Sequence, residues 1–181
     1  WTRNGKTSQL TISIDLDVMN RTIRISDNAG GVHERELQRL ISPGATTNDP
    51  DGRTIGIFGV GSKRAVVALA ENIKIKTRFR SGTSFQIDID NSWLESPDWE
   101  MPVYEIDEIK SGTTSVELSS LRFELTEEAR DQLLEHVSET YSQFLKQDKY
   151  IILFNSQNVI SEENKSELQS PDPLVCRILL E

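Results

Sequence analysis

The first part of the chain alternates between apolar and polar residues. A period of two predicts a β-strand with one buried face, and a turn at residues 19–21 followed by Ile23 and Ile25 makes this strand the first arm of a hairpin. The apolar positions of the first strand are Leu10, Ile12, Ile14, Leu16 and Val18.

Shorter apolar runs predict the rest of a sheet. They lie at residues 73–79, 85–89, 103–109, 114–118, 121–125 and 150–154. A polar loop at residues 42–53 precedes a segment, residues 56–70, that begins rich in glycine and ends as an alanine- and valine-rich helix. The order of these elements predicts an α+β fold, a two-layer sandwich in which helices cover one face of a mixed, mostly antiparallel sheet.

The clearest helix begins at Thr126. Glu127 and Glu128 occupy its first turn, where the helix dipole favours negative charge. Apolar residues follow at helical spacing, which predicts a stripe that packs against the core. They are Leu133, Leu134, Val137, Tyr141, Phe144 and Leu145.

Composition narrows the classes of function. The chain has 181 residues, 36% of them apolar, which predicts one globular domain, and no apolar run approaches the roughly 20 residues of a membrane helix. A net charge of -9 argues against a broad nucleic-acid surface. One cysteine excludes an internal disulfide framework, and with two histidines it does not make an ordinary zinc site. We therefore expect a cytoplasmic protein without a membrane partner.

Basic residues alternate along one predicted strand. Lys74, Lys76, Arg78 and Arg80 share one parity, which predicts a solvated face of the sheet rather than a nucleic-acid-binding stripe. We therefore do not assign a binding function to this stripe.

The segment ISDNAGGV, residues 25–32, places an acidic residue at the end of the second strand. Asp27 has the parity of Ile23 and Ile25, so it faces the core if they do, and an ionised carboxylate there is costly without partners. Two explanations are open. Asp27 either bonds the backbone amides of the following turn, or it receives a hydrogen bond from a ligand that Gly30 and Gly31 allow close to the backbone.

A second glycine cluster, GIFGVGSKRA, precedes the predicted helix. Gly56, Gly59 and Gly61 expose backbone amides near a helix N-terminus, and Lys63 and Arg64 add positive charge, so the segment has the composition of a phosphate-binding loop. It matches neither the GxxxxGK[ST] nor the GxGxxG pattern. A glycine-rich turn that serves only tight packing is the alternative.

In this order, the two clusters resemble the nucleotide-binding elements of the GHKL or Bergerat-fold family. That family includes DNA gyrase B, histidine kinases, MutL and the ninety-kilodalton heat-shock chaperones, and the likeness is closest to the microrchidia and heat-shock type. Its DxGxG element, which holds adenine through the Asp, is matched by residues 27–31, with Ala29 in place of the first glycine.

The resemblance implies ATP and Mg²⁺ as ligands and assigns adenine binding to Asp27. It gives Thr113, in the Gly112-Thr113-Thr114 stretch, a supporting role beside this Asp, with Gly82-Thr83 as a competing candidate. The other contacts that it implies with the nucleotide are Asn28, Ala29, Gly31, Gly56, Gly59, Val60, Gly61, Ser62 and Lys63.

In the family, a helix before the first strand carries a water-activating Glu and a magnesium-binding Asn. Residues 1–9 contain no Glu, so the catalytic residues are unknown, and the start at Trp1 suggests a piece of a longer chain. We expect residues 1–160 to form the ATP-binding domain without its first helix, and residues 161–181 to be a linker or the start of the next segment.

The leading hypothesis is the ATP-binding domain of a larger Mg²⁺-dependent ATPase, in which ATP binding and hydrolysis drive lid closure and homodimerisation. One alternative is a non-hydrolysing nucleotide-binding or dimerisation module of the same fold. Another is an α+β domain whose glycines only form turns. Beyond ATP and a second copy, the expected partners are other domains of the longer chain.

Overall fold

The computed structural model describes residues 8–40, 67–90, 92–93 and 102–159. In this part of the chain, one sheet has the strand order β5-β4-β3-β6-β2-β1-β7-β8. The β1–β7 pair is parallel, and the other neighbouring pairs are antiparallel. The strands are β1 (Leu10–Asp17), β2 (Thr22–Asp27), β3 (Ala70–Arg78), β4 (Ser84–Ile89), β5 (Val103–Ile106), β6 (Thr114–Leu121), β7 (Tyr150–Phe154) and β8 (Gln157–Asn158).

Helical segments connect the strands. They are a 3-10 helix (Glu34–Leu40), α1 (Glu127–Thr140) and α2 (Ser142–Leu145), and residues 67–69 are also helical. The predicted start of α1 is confirmed, because Thr126 is its N-cap and Thr126 Oγ1 accepts a hydrogen bond from Ala129 N at 3.1 Å. With its mixed, mostly antiparallel sheet, the chain has the predicted α+β fold.

Apolar rows cross one face of the sheet. The register aligns one such row over six strands, so that each side chain packs beside a neighbour on the next strand. Its members are Ile87, Ile75, Val116, Ile25, Ile14 and Phe154. Leu37 of the 3-10 helix and Val137 of α1 belong to the same buried cluster, so the helices cover this face.

The opposite face carries a row of alternating charge that crosses five strands, which we call the charge row. Its members are Asp88, Lys74, Glu117, Arg24 and Asp15. The Nε of Arg24 donates to Glu117 Oε2 at 3.0 Å. Arg24 and Glu117 therefore form an ion pair across neighbouring strands.

The apolar stripe of α1 is buried only in part. The stripe residues that are buried or pack against the core are Leu133, Leu134, Val137 and Leu145. Tyr141 and Phe144 are 40% and 39% exposed, against expectation. The cause is the end of α1 at Thr140, since the chain turns into α2 and the helical spacing no longer directs these rings at the sheet.

The largest differences between the predicted and the observed elements are at three places. The strand β5 ends earlier than expected, because Ile109 N donates to the Ser84 hydroxyl at 3.1 Å instead of joining the ladder. Ala70 begins β3 rather than ending a helix. Residues 121–125 do not form a strand of their own: Leu121 ends β6, and Leu125 is a core residue ahead of α1.

Candidate functional site

Polar residues interrupt the helix-covered face at the ends of three neighbouring strands. Asp27 on β2 is paired with Thr114 on β6, and Thr114 is paired with Thr77 on β3. We call these three residues the polar row. On each strand the polar row lies two residues from the apolar row of Ile25 and Ile75. The side chains of both rows are therefore on the same face of the sheet.

The helix-covered face is open beside Asp27. Ile25 is 44% exposed, whereas Ile75 and Phe154 in the same row are 6% and 4% exposed. Ile25 therefore has the parity of the core but is not covered by the helix layer. An uncovered aliphatic side chain beside a carboxylate offers a ligand an apolar surface and a hydrogen-bond acceptor together.

Asp27 is half-buried, and few hydrogen bonds from the described residues offset the cost of burying its charge. In the described part of the chain its carboxylate receives one hydrogen bond, from Ala29 N to Oδ1 at 2.8 Å. Burial raises the pKa of Asp27 above its ordinary value of 3.8, and the Ala29 N–H partly offsets this increase. The first explanation offered by the sequence holds for Oδ1, which bonds the following turn. The Oδ2 atom accepts no hydrogen bond from the described residues.

The Asn28 side chain ties the loop after β2 to β1. Its Oδ1 accepts a hydrogen bond from Thr11 N at 2.8 Å, and its Nδ2 donates to Gln9 O at 3.1 Å. The Asn28 N–H also donates to Thr11 O at 3.3 Å. These contacts hold the residue next to Asp27 in place, and a direct contact of Asn28 with a nucleotide stays a prediction.

The residues 29–31 show why the motif tolerates an alanine at one position but not at another. Ala29 is buried and does not adopt a positive φ, so a Cβ fits there without backbone strain. Gly31 has a φ of +70°, and a Cβ on it would lie 2.0 Å from Arg78 O. Only glycine fits at Gly31, because that backbone packs directly against the end of β3.

Two neighbouring threonines take different positions. The hydroxyl of Thr113, the residue with the predicted supporting role, donates to Lys110 O at 2.7 Å. Thr114 begins β6 and is paired with Asp27. The role of Thr113 stays a prediction, and Thr114 is the threonine that lies directly across from Asp27.

Thr77 is a residue of the site that the sequence analysis missed. It is 1% exposed, and its Oγ1 accepts a hydrogen bond from Val32 N at 2.9 Å. A signal was available, since Thr77 continues the parity of Ile73 and Ile75 and a polar residue at a core position requires partners. The contact links the loop after β2 to the middle of the sheet.

Arg78 was predicted to be solvated, and this prediction is wrong. Its side chain is 12% exposed and lies 3.1 Å from Glu108. Its Nε donates to Gly82 O at 2.9 Å, and its Nη1 donates to Ile109 O at 2.8 Å. Arg78 therefore joins the β3–β4 turn, which contains Gly82-Thr83, to the loop before β6.

The predicted phosphate-binding residues lie outside the described residues. They are Gly56, Gly59, Val60, Gly61, Ser62 and Lys63. Within the described ranges, no group of three or more His, Cys, Asp and Glu side chains could hold a metal ion. None of the described helices combines the length and the apolar character needed to cross a membrane.

A separate open cavity of about 460 Å³ lies at the other end of β1, and Asp17 and Arg130 contribute to its lining. Two of the polar side chains in it already bond protein atoms. Asn155 Oδ1 accepts a hydrogen bond from Leu16 N at 2.7 Å, and Arg130 pairs with Asp131 at 2.8 Å. We therefore assign the candidate site to Asp27 rather than to this cavity.

Comparison with known proteins agrees with the motif. The family model for histidine kinase-, DNA gyrase B-, and HSP90-like ATPases matches residues 3–123. The chaperone protein HtpG of Desulfotalea psychrophila (strain LSv54 / DSM 12343) is 28% identical over 148 residues. This alignment covers 75% of the chain and 22% of HtpG, so the chain spans about a fifth of that relative's length.

Proposed function

The chain belongs to the family of histidine kinase-, DNA gyrase B-, and HSP90-like ATPases, and from this premise we propose that it is the ATP-binding domain of a larger Mg²⁺-dependent ATPase. The single observation that carries the proposal is the half-buried Asp27, with a raised pKa and an Oδ2 atom that accepts no hydrogen bond from the described residues. Such a carboxylate is costly to the folded protein without a donor from outside.

Adenine fits the chemistry of the Asp27 site. Its exocyclic amine donates a hydrogen bond, and its flat ring presents an apolar face. In the proposed complex, the amine donates to Asp27 Oδ2 and the ring lies on the uncovered side of Ile25. Gly31 supports this arrangement, because the absence of a side chain lets the loop lie flat against Arg78.

The remaining nucleotide contacts belong to the same proposal. We assign the phosphates to the backbone amides of the segment 56–63 and to Lys63, and the support of Asp27 to Thr113 or Thr114. Mg²⁺ would neutralise charge on the phosphates; the described residues supply no metal cluster for it, so we name no magnesium ligand. When ATP is bound, it supplies the phosphoanhydride bond whose hydrolysis an ATPase of this family performs.

Lid closure and homodimerisation form the finer part of the proposal. Related ATPases couple nucleotide binding to such movements. We further propose that residues 1–160 form the domain of a longer, cytoplasmic protein, and that residues 161–181 are a linker or the start of its next segment.

The test is isothermal titration of the 181-residue chain with a non-hydrolysable ATP analogue and Mg²⁺, beside Asp27→Asn. We expect binding by the wild type and an affinity about 10- to 100-fold lower in the variant. Equal binding by both proteins would contradict the assignment of Asp27, and no binding by either would contradict an ATP site in this chain.

Phosphate release from ATP by the full-length protein separates an ATPase from a non-hydrolysing module of the same fold. A module that only binds ATP gives the same titration but releases no phosphate. Sedimentation with and without the ATP analogue tests dimerisation, since a nucleotide-driven dimer doubles its mass only when the analogue is present.

A further inference from the structure

A fully buried hydroxyl joins the two sides of the Asp27 site. One side is the loop that follows β2, which carries Asp27 at its start and Val32 at its end. The other side is the start of β6 at Thr114, directly across from Asp27. Thr77 contacts both sides, and at 1% exposure it is among the most deeply buried polar side chains of the described residues.

The contacts of Thr77 use its full hydrogen-bonding capacity. Its Oγ1 accepts a hydrogen bond from Val32 N at 2.9 Å, lies 3.0 Å from Thr114 Oγ1, and lies 3.3 Å from Thr113 O. A hydroxyl has one proton and two lone pairs, so these three partners satisfy it completely. A methyl group in its place would leave the Val32 N–H without this acceptor.

We propose that Thr77 is a positioning residue that sets the spacing between Asp27 and Thr114, and through it the preference of the site for adenine. The proposal rests on the proposed function, because it concerns the base that binds at Asp27. Asp27 is held to the loop by Ala29 N–H, and Thr77 holds the end of that loop to Thr114. Thr77 acts through these groups and does not touch the base.

The preference for adenine follows from the hydrogen-bond pattern of the two purines. Adenine has an amine at the 6-position, where guanine has a carbonyl oxygen, so in the proposed pose only adenine donates a hydrogen bond to Asp27 from that position. Guanine carries its own donors, the N1–H and the 2-amine, at other ring positions. A site that keeps a buried polar group in place rejects a ligand that leaves the group unpaired. A looser loop therefore weakens the binding of adenine more than that of guanine, which in this pose forms no such bond.

The experiment is calorimetric titration of the wild type, Thr77→Val and Thr77→Ser with ATP and with GTP, each as a non-hydrolysable analogue with Mg²⁺. Valine has nearly the shape of threonine but has no hydroxyl, whereas serine keeps the hydroxyl. We expect Thr77→Val to reduce the affinity for ATP about tenfold and that for GTP much less, and Thr77→Ser to retain the wild-type ratio.

Ser84→Ala is the matched control. Ser84 is also a buried hydroxyl, at 2% exposure, and accepts a hydrogen bond from Ile109 N, but it lies outside the polar row. Its loss should lower stability and leave the ratio of ATP to GTP affinity unchanged. An unchanged ratio in Thr77→Val, or an equal fall of the ratio in Ser84→Ala, would overturn the proposal.

Amide hydrogen exchange of the wild type keeps the proposal testable if Thr77→Val does not fold. We expect slow exchange at Val32 that ATP slows further, and exchange as fast as that of an exposed loop amide would overturn the proposal. Failure of the proposed function is a different result, because the wild type then binds no ATP. Wild-type ATP binding with an unaltered Thr77→Val would overturn only the role of Thr77.

Discussion

Asp27 and Glu117 are carboxylates on neighbouring strands of one sheet, and their surroundings are opposite. Glu117 lies in the charge row, where a hydrogen bond from Arg24, with smaller effects of Lys74 and Lys76, lowers its pKa below the ordinary value of 4.5. Asp27 lies in the polar row on the other face, where burial raises its pKa. A carboxylate that its neighbours compensate needs no ligand, whereas one that remains costly in the folded protein is a candidate for binding one.

The largest effect on stability and on ATP binding is expected from Gly31→Ala. This variant would disrupt the packing of the loop after Asp27 against the end of β3. The new Cβ would lie 2.0 Å from Arg78 O at a φ of +70°. We expect a loss of about 3 kcal/mol in the free energy of unfolding, together with loss of ATP binding. Urea denaturation measures the first quantity, and titration measures the second.

Gly112→Ala is the control for this prediction, because Gly112 has nearly the same φ, +71°, but the nearest atom to its new Cβ lies 3.5 Å away. Its cost should be limited to backbone strain, about 1 kcal/mol. Equal losses in the two variants would show that the packing of Gly31 against β3 does not matter.

Asp27→Asn directly tests the comparison of Asp27 with Glu117. Ala29 N–H would bond the amide oxygen, so the amide NH₂ would face the ligand and could not accept from its amine. We expect the affinity for ATP to fall about 10- to 100-fold, as for the loss of a hydrogen bond to a charged group, with no loss of stability at pH 7. A large loss of stability without any ATP binding to lose would instead favour a turn-forming role.

The contribution of Asp27 to stability and the affinity for ATP should depend on pH with opposite signs. Because the folded pKa of Asp27 is raised, its contribution to stability is fully present below 3.8 and is lost as the pH rises through the folded pKa. ATP binding requires the ionised form, so the affinity should fall as the pH decreases through that raised value. Titrations with the ATP analogue from pH 7 downwards test this expectation. The affinity of Asp27→Asn should not show this fall. Parallel profiles of the two proteins would contradict it.

The smallest effect is expected from Glu117→Gln. Its partner Arg24 has a side chain that is 58% exposed, and exposed ion pairs contribute about 0–1 kcal/mol. The contribution is present above pH 4.5 and is lost as the pH falls through the lowered pKa of Glu117. Denaturation at low and at high salt measures it, and the affinity for ATP should stay unchanged. A loss of ATP binding in Glu117→Gln would contradict the assignment of the ATP site to the face that carries Asp27.

Much of the fold could be predicted from local patterns. The alternation of residues 10–18 and the parity of Ile23 and Asp27 depend only on the two-residue repeat of a strand, which any strand shows whatever its neighbours. The start of α1 at Thr126 depends on the chemistry of a single N-cap. Tyr141 and Phe144 could not be predicted in this way, because the same spacing continues across a break in the helix.

The sequence by itself determined that Asp27 follows two isoleucines of the same parity and that a glycine stands four residues later, because these are properties of neighbours along the chain. Only the tertiary structure decided which residues meet across strands. It brought Thr114 rather than Thr113 opposite Asp27, placed the half-buried Arg78 between two loops, and aligned the charge row. The physical reason is that strand register is set by pairing between distant segments, and a shift of one residue exchanges the two faces of a strand.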